Sequence, residues 1–154
     1  MPVTTARKIA DCFVARAHAM GHPITNLKLQ KLLYYAQAWH LAFYGRPLFG
    51  ERIEAWVHGP VVPPVFGDFK HYGWSPIEPV AIPPSPSAPV RVHVDCVYQT
   101  YGGFSANDLE RMTHQEDPWK NARNGLPLGA PSKAVISHES MKRYYRSVLN
   151  GQKR

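Results

Sequence analysis

Apolar residues recur with a helical period along most of this chain, and one stretch carries them on two faces. Over Thr25 to Tyr44, TNLKLQKLLYYAQAWHLAFY, a spacing of about 100° per residue sets Leu29, Leu32, Leu33, Ala36, Trp39, His40 and Phe43 on one arc. Tyr34, Ala38 and Leu41 lie on the other side. A helix apolar on two faces is a central core helix. Thr25 begins it, with a hydroxyl able to accept from an orphan N–H of the first turn, and Gly45 ends it in the left-handed conformation, with Pro47 barring continuation. A first amphipathic helix is predicted from Thr5 to Met20, where Ile9, Phe13, Val14 and Ala17 share a face and Gly21 and Pro23 close it.

Between Pro47 and His58 the run LFGERIEAWV mixes alternation with β-branched and aromatic residues, which predicts one or two short strands forming a small hairpin. Gly59 and Pro60 then break the chain, and Val61 to Lys70 reads as a short helix, weakened by Pro64 and Gly67. Residues 75–89 hold six prolines, so this connection sustains neither a helix nor a central strand. It reads as an ordered extended loop across the helices; a docking role is less favoured, since no PxxP ligand with basic flanks stands out. Helices resume at Val90 to Tyr101, ended by Gly102 and Gly103. Ser105 with Asp108 resembles a capping box opening a helix through Leu109 and Met112. Asp117-Pro118 opens DPWKNARNG, with Gly125 as its stop, and Ser137 caps a last helix containing Met141, Tyr144, Tyr145 and Val148. No internal repeat or heptad series occurs. The expected fold is mainly α: one compact multi-helix domain over residues 1–154, built around a central buried helix, with a small β-hairpin.

Composition narrows the function classes. A chain of 154 residues fits one domain, able to bury about two-thirds of its unfolded surface. No segment approaches the roughly 18 to 20 uninterrupted apolar residues of a membrane span, and Asp11 and Arg16 interrupt the apolar run near the start before it reaches signal-peptide length. The expectation is a soluble cytoplasmic protein with no membrane contact. Cys12 and Cys96 lack a CxxC partner and read as buried free thiols. The formal charge of +7, from 18 Lys and Arg against 11 Asp and Glu, raises nucleic acid or an acidic protein surface as partners. The basic residues are spread, apart from Lys142, Arg143 and Arg146 on the last helix and Lys153 with Arg154 at the end, which read as a solvated face and tail.

Candidate chemistry is sparse. Eight histidines invite a metal hypothesis, but His22 follows the helix stop after His18, and no HExxH or third ligand completes a site, so neither metal nor cofactor is expected. His40, on the apolar arc, reads as a histidine bonded to a buried carbonyl or carboxylate. His114, Glu116 and Asp117 gather the ingredients of proton transfer, yet no nucleophile, oxyanion donors or phosphate loop stand nearby in sequence, and the cluster reads more economically as a helix junction. There Glu116 and Asp117 would sit at the N-terminus of the Trp119 helix, where negative charge gains roughly 0.3 to 1 kcal/mol from the helix dipole. No GxSxG, GxxxxGK[ST] or GxGxxG occurs. Trp39 and Trp119 read as core. Trp56, before His58-Gly59-Pro60, and Trp74, before the proline-rich stretch, stand either in the core or at a groove edge, where aromatic side chains act as binding hot spots.

Four blocks give the chain a wider resemblance: LKLQKLLYYAQAWHLAFYG from Leu27, EAWVHGPVVPPVFGDFKHYG from Glu54, YGGFSANDLERMTHQEDPW from Tyr101, and Ala122-Arg123. In content and order they resemble the Panacea antitoxin domain family, whose members include SocA-like antitoxins and phage-associated GepA-like proteins. The resemblance implies a binding role without a reaction of its own. It implies an antitoxin that neutralises a cognate toxin protein directly, by sequestration or as an adaptor delivering the toxin to a Clp-type protease. Two alternatives stand beside it: a nucleic-acid-binding or phage-associated regulator, which lacks a convincing helix-turn-helix word here, and a small enzyme using His114, Glu116 and Asp117. The residues expected at the partner contact are Trp56, His58, Trp74 and Arg123.

Overall fold

The computed structural model describes residues 2–151. Seven helices stand among them: α1 (Ala6–Ala19), α2 (Asn26–Tyr44), α3 (Pro63–Phe69), α4 (Ala88–Tyr101), α5 (Ala106–His114), α6 (Asp117–Arg123) and α7 (His138–Leu149). A two-stranded antiparallel hairpin, β1 (Glu54–Trp56) and β2 (Gly59–Val61), lies between α2 and α3. None of these helices is long and apolar enough to cross a membrane. Lys153 and Arg154, expected in a solvated tail, lie outside the described residues.

The predicted caps form. Thr5, Thr25, Ser105 and Ser137 each accept a hydrogen bond from the backbone N–H three residues on, each worth about 1 kcal/mol. Gly45 ends α2 at φ 73°, where a side chain would be strained. Asn124, not Gly125, takes the left-handed C-cap of α6, a conformation asparagine tolerates better than most residues. Residues 79–87 run without helix or strand, and Ile77 anchors the connection by donating to the Ile24 carbonyl.

Helix α2 is the hub. It packs against α1, α3, α4, α5, α7 and β2, which explains its apolar residues on two faces. Leu29, Leu32, Leu33, Tyr34, Tyr35, Ala36 and Ala38 are fully buried, and each large side chain contributes roughly 1.5 to 3 kcal/mol by leaving water. The arc ends early: Phe43 is 53% exposed, while Leu41 and Ala42 of the same turn stay buried. Trp119 is core as expected, whereas Trp39 is only partly buried and donates its indole N–H to the Tyr101 hydroxyl at 2.8 Å.

Polar residues inside α2 pin the surrounding backbone. Gln37 accepts from the N–H groups of Leu48 and Phe49 and donates to the Phe49 carbonyl at 2.7 Å, satisfying an otherwise buried loop. Gln30 accepts from the Val62 N–H at 2.9 Å and donates to Asn26. Lys31, wholly buried, donates to the Pro60 carbonyl at 3.1 Å. These contacts place the hairpin later than the sequence predicted: Gly59 and Pro60 form a strand instead of breaking the chain, and α3 starts at Pro63 instead of Val61. Proline is tolerated there because β2 pairs only with β1 and is an edge strand. The 134–136 segment extends the sheet locally, Ala55 donating to Ala134 and Ile136 to Ile53.

Candidate partner surface and buried ionisable groups

The hairpin turn carries two of the residues expected at a partner contact. Trp56 is half-buried at the end of β1, its indole N–H held by Glu54 at 2.8 Å and its ring edge-on to Phe66 at 5.1 Å. His58, in the turn, is exposed and lies 3.2 Å from the Glu110 carboxylate of α5. Trp74 follows the 3-10 turn Lys70–Tyr72 and is 80% exposed, an unusual position for the largest apolar side chain.

Arg123 behaves differently. At 3% exposure its guanidinium donates to the carbonyls of Ala55, Pro127, Leu128 and Ala130 and stacks over Trp119 at 4.7 Å. Its donors are committed to the loop beyond α6 and to β1, so it sets the shape behind the hairpin surface. Trp119 adds to this by donating its indole N–H to the Trp56 carbonyl at 2.9 Å.

Under the hairpin lies the buried amine of Lys31. Burial lowers its pKa to about 7, with Glu110 partly opposing the shift. Gly59, at φ 108°, leaves room for it: a Cβ there would lie 2.7 Å from Lys31 Cε and 3.0 Å from Thr113 Oγ1. His114 stacks on Trp119 at 4.1 Å, and its Nε2 is buried without a hydrogen-bond partner. Burial lowers its pKa as well, with Glu110 partly opposing the shift.

His114, Glu116 and Asp117 therefore do not converge on a shared point. Glu116 is the N-cap residue of α6 but makes no side-chain cap. Instead of serving the helix dipole, its carboxylate turns inward, accepting hydroxyls from Tyr34 and Tyr35 at 3.0 Å each and from Tyr145 at 2.5 Å. Burial raises its pKa to about 7, against the opposing pull of those three hydrogen bonds. Asp117 stays at the surface near Lys120, at 3.9 Å.

The other ionisable expectations divide. His40 bonds the Arg46 carbonyl at 2.7 Å, as its place on the apolar arc implied. Cys12 is half-buried and Cys96 is exposed, so the cysteines are free but not both buried. Lys142 and Arg143 pair with Glu139 on the solvated side of α7, while Arg146 reaches across to the Ala42 carbonyl at 3.0 Å. Among the described residues no three His, Cys, Asp or Glu side chains gather as a metal-binding group.

Residues 29–83 match the family described as "Antitoxin SocA-like, Panacea domain". The chain is 36% identical over 133 residues to "Antitoxin SocA" of Caulobacter vibrioides (strain NA1000 / CB15N), covering 78% of this chain and 71% of that relative. The chain belongs to the SocA-like Panacea antitoxin family. No solved structure matches it significantly. In this Panacea member the 29–83 match takes in most of α2 with its polar pins, the hairpin, α3 and Trp74. Glu116, Arg123 and α7 lie beyond it, although they complete the core around α2.

Proposed function

We propose that this chain neutralises a toxin protein by direct binding, with the hairpin turn and the segment after α3 as its contact surface. The observation that carries the reading is the 36% identity to an antitoxin across most of both chains. Exposed Trp74 and His58 and half-buried Trp56 supply the contact, aromatic anchors of this kind dominating most interfaces. Arg123 acts from behind by holding β1 and the 127–130 carbonyls in place. The net charge of +7 suits an acidic patch on the toxin, steering association in a way that weakens with salt. The proposed role is binding and not catalysis.

The test is expression of the neighbouring open reading frame in growing cells, with and without this chain, followed by co-purification of the pair. Arrest relieved by co-expression, with a stable complex, supports neutralisation by binding. Relief that disappears in cells lacking Clp proteases, with a shortened toxin half-life in cells that have them, identifies adaptor-mediated delivery. A neighbour that is harmless, or whose arrest this chain does not relieve, refutes the reading. In that case DNA binding with a steep salt dependence becomes the property to measure.

A further inference from the structure

A groove of about 620 Å³ opens where α5, the turn before α6 and α7 meet. Phe104, Met112 and Tyr144 supply apolar lining, and Asp108, Arg111 and Glu116 supply charge. Arg111 is the cation among the lining residues, and it is paired with Asp108 and 70% exposed. Glu116 is different. Its three hydrogen bonds all come from neutral phenols, and among the described residues no Lys, Arg or His nitrogen lies within ion-pair distance of it.

A carboxylate has about four acceptor sites. Oε1 takes Tyr34 and Tyr145, and Oε2 takes Tyr35, leaving one site unfilled. We propose that this groove binds an organic cation, an ammonium or guanidinium group on an apolar stem, with the Glu116 carboxylate as its counter-ion. Most of the desolvation of that carboxylate has already occurred on folding, and the tyrosines fix its orientation, so an arriving cation meets a preorganised anion. A charge-assisted hydrogen bond to Oε2 is the polar contact. Phe104 and Tyr144 provide aromatic neighbours for the cation and Met112 an adaptable surface for the stem. The carboxylates disfavour an anion, and one carboxylate among phenols is a poor metal site. The cation is either a free small amine or a basic side chain of a bound protein. The site does not depend on whether the chain binds a toxin.

The test is an amide-resolved NMR titration of the full chain at pH 8. The probes are butylguanidinium and the blocked peptide acetyl-Ala-Arg-Ala-amide, with butylurea and the norleucine peptide as neutral isosteres. The expected result is saturable shifts at Met112, Gln115, Glu116 and Tyr144, with each cation binding at least about tenfold more tightly than its isostere. Glu116→Gln should lose about tenfold or more in cation affinity. Arg111→Gln, at an exposed position that leaves the fold alone, should tighten binding about two- to fivefold by removing a like charge. Response to butylguanidinium without response to the peptide assigns the guest to small amines; a peptide that binds as well or better assigns it to a protein side chain. Equal binding of cation and isostere, or no response in the groove up to about 100 mM, overturns the proposal. Wild-type affinity in Glu116→Gln overturns it too, and if that variant does not fold, the cation-to-isostere ratio and Arg111→Gln decide.

Discussion

Replacing Lys31 by Met tests whether a buried amine shapes the stability of this fold. In the unfolded chain the amine titrates near 10.5, whereas burial in the folded chain lowers its pKa to about 7. Between those values the unfolded state holds one more proton than the folded state, so stability rises with pH, by about 1.4 kcal/mol per unit. Over the full window this approaches 5 kcal/mol, and between pH 7, where the folded amine is half protonated, and pH 9, below the titration of ordinary tyrosines, it is about 2 kcal/mol. Lys31→Met removes the titration but also leaves the Pro60 carbonyl without its donor, a fixed cost of about 1 to 3 kcal/mol. The measurement is urea unfolding of both proteins at pH 7, 8 and 9, read as the difference in unfolding free energy. Other groups, including Cys12, whose pKa burial raises to about 11, are common to both and cancel. The stability of the wild type relative to Lys31→Met should rise by about 2 kcal/mol across this range. A constant difference would refute the account of Lys31 as an amine neutral in the folded state near pH 8.

Glu116 should impose the opposite slope. Its pKa is raised from 4.5 to about 7 in the folded chain, so the wild type loses about 1.4 kcal/mol of stability per unit as pH rises through that window. Glu116→Gln should flatten that slope in urea melts between pH 4.5 and 7, and an unchanged slope would mean the carboxylate is ionised throughout. Arg123→Ala should destabilise the fold by about 2 to 4 kcal/mol, because its removal takes the guanidinium donor from the buried Ala55 carbonyl and from the partly buried carbonyls of Pro127, Leu128 and Ala130; a thermal midpoint within a degree of wild type would contradict that role. Trp74→Ala should leave stability within about 0.5 kcal/mol, since the side chain is 80% exposed, yet weaken toxin binding about tenfold or more. Unchanged affinity in a titration calorimeter would remove Trp74 from the contact.

The local signals in the chain proved dependable because their physics is local. Thr5, Thr25, Ser105 and Ser137 each satisfy an N–H three residues away, and Gly45 adopts a conformation that its missing Cβ permits, so a short window of sequence contains both cause and partner. The two-faced apolar pattern of α2 likewise announced a buried hub, and the ordered word blocks announced the Panacea family. Gly59-Pro60 reads as a break in the sequence, so the pattern predicts the hairpin ahead of where it forms. It is held as strand by Lys31 from beneath, a contact spanning 29 residues.

What only the tertiary structure decided was where the polar groups of the interior are spent. Gln30, Lys31 and Gln37 sit in α2 as ordinary polar letters, and nothing adjacent to them reveals that they anchor Val62, Pro60 and the 48–49 backbone. Glu116 looks like a helix-start residue until α2 and α7 bring three tyrosines around it, from 82, 81 and 29 residues away. Arg123 resembles a surface cation until the loop after α6 closes over it. Hydrophobic periodicity and caps depend on neighbours within about one helical turn, and the sequence alone determines them. The partner of a buried polar group is chosen by whichever distant backbone or side chain folding brings within about 3 Å, and that choice exists only in the assembled structure.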